Sequence, residues 1–109
     1  MDIAIVLART EEEYGTAARR RYEALIAAAL RAIAADPFRL GSAARPEIGE
    51  GVRTYHMRHS RAQTAAAMVR RPRHFLLYRC VSSNIVGVGR VLHEAMELSR
   101  HIPAVYGDE

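Results

Sequence analysis

A chain of 109 residues supplies one domain, 1–109, and half of it is hydrophobic by a count dominated by nineteen Ala, with two Phe and no Trp. A single cysteine, Cys80, excludes an internal disulfide framework and any multi-cysteine zinc or iron–sulfur centre. All sixteen basic residues are Arg, and the net +4 is unevenly spread: −3 over 1–13, +9 over 14–79 (thirteen Arg against four acids) and −2 over 80–109.

Asp2 to Tyr14 is ambiguous by pattern. Ile3, Ile5 and Leu7 alternate as a strand would, whereas Ile3, Leu7 and Tyr14, with Val6 beside them, sit at helical spacing. Gly15 punctuates the segment, and Thr16 reads as the N-cap of a long helix over 16–36. There Tyr22, Leu25, Ile26, Ala29, Leu30 and Ile33 form one apolar stripe, opposite Arg19, Glu23, Ala27 and Arg31. Asp36-Pro37 ends the helix, because a residue before proline is pushed out of the α region. Pro37 to Gly51 carries two Pro and three Gly and reads as an irregular connection.

Val52 to His59 alternates, with Arg53, Tyr55 and Met57 on one face. Ala62 to Val69 is an Ala-rich insertion, either a short helical turn or a loose hairpin loop. His74 to Val81 is nearly continuous in strand formers and reads as a buried strand. Ser82-Ser83-Asn84 is a tight turn, and Ile85 to Leu92 is a further strand with Gly87 and Gly89 on one face. Glu94 to His101 returns to a helical pattern, Met96 lying over Arg100, and Pro103 stops it. Strands joined by short turns pair antiparallel. The expected fold is α+β: a helical hairpin (1–14 and 16–36) on one face of an antiparallel sheet of about three strands (52–92), then a short C-terminal helix (94–102).

Several pieces, taken in order, resemble a known family. RPEIGEGVRTYHM from Arg45, RHFLLYR from Arg73 and RVLHEAMELSRHIP from Arg90 are similar to the ParE branch of the RelE/ParE toxin superfamily. Tyr14-Gly15 to Asp36-Pro37 is similar to that family's second helix, and the resemblance covers residues 2 to 103. Two features depart from the pattern. Family members usually begin with a β-strand, whereas Asp2 to Glu12 aligns with the first helix, so either translation starts upstream of Met1 or the sheet is short of a strand. Such a sheet would expose an edge, and the chain alone is expected to be poorly soluble until a partner covers it. The Arg58 to Arg73 stretch is also longer than the usual link.

The resemblance implies a toxin of a type II toxin–antitoxin pair that inhibits growth by blocking DNA gyrase, serves plasmid stabilization, and is not an enzyme. It implies as partner a small ParD-like antitoxin with an acidic C-terminal segment. A basic middle between acidic ends fits an acidic partner, although a genome rich in G and C writes the same excess of Arg and Ala without one. Residues offered to partners are Arg53, Tyr55, Arg73, Arg79, Arg90, His93, Met96 and Arg100. The alternative is a RelE-like, ribosome-dependent mRNA endoribonuclease. Cleavage needs a base, an acid and cations on the phosphate, for which His93, Arg90 and Arg53 are candidates. The commoner role of the Arg90-Val-Leu-His93 tetrapeptide is structural, with Arg90 paired to Glu94 or Glu97 and His93 closing the strand-to-helix turn.

His56, His59, His74 and His101 show no metal-ligand spacing, so no metal and no cofactor are expected. Cys80, in an apolar strand, reads as a small core residue. Arg19-Arg20-Arg21 and Arg70-Arg71 with Arg73 read first as solvated faces. No Gly-rich phosphate loop or aromatic platform marks a nucleic-acid-binding domain, and direct sequence-specific binding is not expected. No apolar run approaches the ~20 residues of a membrane span. With Asp2 and no leading positive charge, Met1 to Ala8 does not read as a secretory leader, and the expected location is the cytoplasm.

Overall fold

Asp2–Tyr14 folds as a helix, α1, so the helical period prevails over the alternating one. Leu7 is buried, Ile3 and Val6 pack against the core, and Ile5, the residue that strand alternation would place beside them, is 62% exposed. Tyr14 lies too far along to reach the core and is exposed. The computed structural model describes residues 2–67, 69, 72–82 and 85–93. The C-terminal helix expected over 94–102 lies outside the described residues.

One residue separates the helices. Gly15 takes φ 92° and ψ 174°, its N–H closing α1 on the Glu11 carbonyl (2.9 Å) and its carbonyl opening the next helix by accepting from Arg19 N–H (3.1 Å). Only glycine enters that backbone region readily. The N-cap of α2 (Thr16–Ala35) is therefore Gly15, not Thr16, whose hydroxyl donates instead to Glu11 Oε2 at 3.1 Å. Asp36, extended before Pro37, caps the far end with its N–H on the Ala32 carbonyl. Along α2 the expected stripe is core: Tyr22, Leu25, Ile26, Ala29 and Ile33 are buried, and Leu30 is half-buried beside them.

The sheet has four antiparallel strands in the order β1-β2-β3-β4: Ser42–Ala44, Val52–His56, His74–Ser82 and Ile85–His93. The sequence predicts the last three. β1 falls inside the segment read as irregular, because Ser-Ala-Ala has no strand formers; its ladder with β2 holds it, Ser42 opposite Tyr55 and Ala44 opposite Arg53. β2 stops at His56, and Met57–Ala67 forms a 3₁₀ helix that lies against α2. The Ala-rich insertion thus begins helically at Met57, earlier than its composition suggests.

Alternation divides the sheet. Tyr55, Leu76, Tyr78 and Val91 face the helices and build the main core with Leu7, Tyr22, Leu25, Ile26 and Ile33. On the other face Val52 and Leu77 pack with Ile48, and Arg45 Nε donates to Thr54 Oγ1 (3.3 Å). The β3–β4 ladder shifts register between Leu77 and Tyr78 and again between Cys80 and Ser82. At the first shift Leu77 pairs with Arg90 and Tyr78 with Val88, so Gly89 is an extra residue between them. That bulge re-phases β4, sending Val91 and His93 toward the helices and Arg90 and Leu92 away.

Candidate functional site

The re-phased strand determines where the residues of interest lie. His74 and His93 are cross-strand partners at the ends of β3 and β4, their rings edge-to-face with centroids 5.2 Å apart. Tyr22, from the second turn of α2, joins them: its hydroxyl lies 2.6 Å from His74 Nδ1 and accepts the Arg73 N–H at 3.3 Å. The direction of the Tyr22–His74 bond follows the tautomer of the imidazole: Tyr22 donates when Nδ1 is bare and accepts when Nδ1 carries the proton. Chemically the trio can hold or pass a proton.

The other expected residues do not gather there. Arg90 belongs to the opposite face from His93. Arg53 is on the helix side, but its row is Tyr78 whereas that of His93 is His74, which puts the two positions roughly 16 Å apart by strand geometry. The trio His93, Arg90 and Arg53 therefore does not converge on one phosphate. Arg79 is half-buried on the face opposite Arg53, and Arg73 is exposed just before β3. Tyr55 is a correction: it is wholly buried, with its hydroxyl 2.8 Å from buried Ser60 Oγ, and offers a partner no surface. Met96 and Arg100 lie outside the described residues.

A second polar group stands at the opposite end of the helix-facing surface. Arg53 Nη2 donates to Ser42 Oγ (2.7 Å), and the guanidinium carbon lies 4.8 Å from the Phe38 ring centroid. The Tyr78 hydroxyl donates to the Pro37 carbonyl. Burial raises the Tyr78 pKa, against hydrogen bonding from Ser42 and Arg53 that lowers it. Phe38 and Arg39 were missed in the sequence, because their segment carries turn residues and no motif.

Compared with known protein families, the chain matches one described as the ParE toxin of type II toxin-antitoxin system, parDE, over residues 2–98. The chain belongs to the ParE toxin family. The match spans the helical pair and all four strands, and type II toxin of a toxin–antitoxin pair is its function at that level. No curated protein and no solved structure matches it. Among the described residues of this ParE-family chain, no three or more His, Cys, Asp or Glu are grouped to hold a metal ion, and no helix is long and apolar enough to cross a membrane.

Proposed function

We propose that this ParE-family toxin acts in the cytoplasm by binding and blocking DNA gyrase, without catalysis of its own, and that a small antitoxin with an acidic C-terminal segment neutralises it. The family match over residues 2–98 carries this reading. The arginines support it in a secondary way. Arg53 sits on one side of the sheet and Arg79 and Arg90 on the other, a distribution that suits contact with a large partner surface better than chemistry on a single phosphate. Induced expression should stop supercoiling by cellular gyrase while translation continues, and co-expression of its cognate antitoxin, a short protein with an acidic C-terminal segment, should restore growth. Loss of translation before any change in supercoiling would overturn the gyrase assignment.

One observation favours the endoribonuclease alternative: His74 supplies a second imidazole beside His93, so a base and an acid stand together. His93→Gln separates the two readings, since it keeps hydrogen bonding but cannot shuttle protons near neutral pH. For a gyrase blocker this variant stays toxic. A folded His93→Gln protein that has lost toxicity, together with cleavage of ribosome-bound mRNA by the parent, would establish the nuclease.

A further inference from the structure

The turn between α2 and β1 presents apolar side chains and cations on a fixed frame. Phe38 N–H donates to Asp36 Oδ1 (3.1 Å), Arg39 N–H to the Asp36 carbonyl (3.2 Å), and Ser42 donates to the Arg39 carbonyl through both N–H (3.0 Å) and Oγ (2.8 Å). The Tyr78 hydroxyl ties the Pro37 carbonyl to the sheet. Gly41, at φ +99°, packs so closely that a Cβ there would meet the His59 ring at 2.7 Å. This bonded turn holds Phe38 65% and Leu40 95% exposed. Their exposure is thus built in, and a partner covering them would have little loop entropy to remove.

Among the described residues, no acid pairs with the cations beside them. Arg53 lies over Phe38, and Arg39 lies 5.7 Å from the Tyr55 ring centroid. The Nε of each is buried without a hydrogen-bond partner. Ion pairs among the described residues go elsewhere, from Arg19 to Glu11 and Glu23 and from Arg45 to Glu47. A guanidinium fixed by stacking, partly desolvated and short of acceptors is matched by a carboxylate. Arg and aromatic residues at the centre of a desolvated patch are also the side chains on which protein interfaces concentrate binding energy. Duplex nucleic acid is a poorer match, because its phosphates would press against Leu40.

We propose that this corner is the docking point for the acidic C-terminal segment of the antitoxin, a carboxylate meeting Arg53 and Arg39 while a bulky apolar side chain covers Phe38 and Leu40. The proposal rests on the toxin–antitoxin reading above. Its test is calorimetric titration of the full chain with its full-length cognate antitoxin, identified as the protein whose co-expression restores growth, at two salt concentrations. Leu40→Asp, at a position too exposed to disturb folding, should weaken binding by about tenfold or more. Arg53→Gln should weaken it about tenfold and flatten the salt dependence. Arg31→Gln, an exposed cation elsewhere on α2, should change it by less than about twofold. If the parent pair does not associate, the toxin–antitoxin reading fails and the docking point with it. If it associates and Leu40→Asp binds as the parent does, or Arg31→Gln weakens binding equally, the docking point alone is wrong. Capture of a short RNA duplex that is lost in Arg53→Gln, with the antitoxin unaffected, would make the corner a nucleic-acid site and overturn the proposal.

Discussion

Gly15 and Gly41 both take positive φ, but for separable reasons. A Cβ at Gly15 would meet nothing within 4 Å, so Gly15→Ala should cost only backbone strain, about 1–3 kcal/mol. At Gly41 the same strain is joined by the clash with His59. Gly41→Ala should therefore lower the denaturation midpoint further than Gly15→Ala, and adding His59→Ala should restore the difference. His59 also reports on pH. Burial, then the neighbouring Arg58, His56 and Arg39, lower its pKa below the ordinary 6.5. The unfolded chain thus takes the proton first, so this contribution to stability is complete above pH 6.5 and is lost as pH falls through the lower folded value. Glu11, held low by Arg19 and then Thr16, acts in the same direction below its ordinary 4.5. A stability–pH series should show the upper step in the parent and lose it in His59→Gln. The pairing of His74 with His93 was within reach of the sequence. Counting back from the recognised turn, Ser82 faces Ile85 and, at constant sum, His74 faces His93; the two register shifts cancel over that length. Partners such as Tyr22, 52 positions from His74, required the packed fold.

Among the elements, those with strong periodicity were legible and those held by neighbours were not. The α2 stripe and the β3 run state their burial in their own residues. β1 has only its ladder, and the 3₁₀ helix opens on a residue, Met57, that completes the β2 alternation and is fully buried as that pattern demands. The structure also grades the α2 stripe. Leu25 is fully buried, so Leu25→Ala should cost roughly 2–5 kcal/mol in a denaturant titration. Leu30, only half-buried at the core's margin, should cost clearly less when cut to Ala. Equal losses would mean that the far side of α2 is covered in solution. The exposed Arg19–Glu11 pair that bridges the two helices contributes little by comparison.

At the scale of the molecule, one core cluster runs from Leu7 in α1 to Val91 in β4. No subset of elements keeps that core intact, so the chain should unfold in a single step. Far-UV circular dichroism, which follows the helices, and the tyrosine fluorescence of a Tyr14→Phe, Tyr22→Phe, Tyr106→Phe variant, which is left with Tyr55 and Tyr78 in the sheet, should give coincident denaturation curves. Separate curves would show the helical pair and the sheet to be independent units.

That closure of first helix on last strand also sets a clock. The residues from Leu7 to Val91 leave the ribosome at about 5–20 per second, so α1 waits on the order of ten seconds for the strand that completes its burial. Throughout that interval the newborn chain carries an unfinished core and the apolar stripe of α2 is uncovered. A neutralising partner made beforehand would meet the toxin before it has its final shape, and the order of synthesis of the two proteins then matters as much as their affinity.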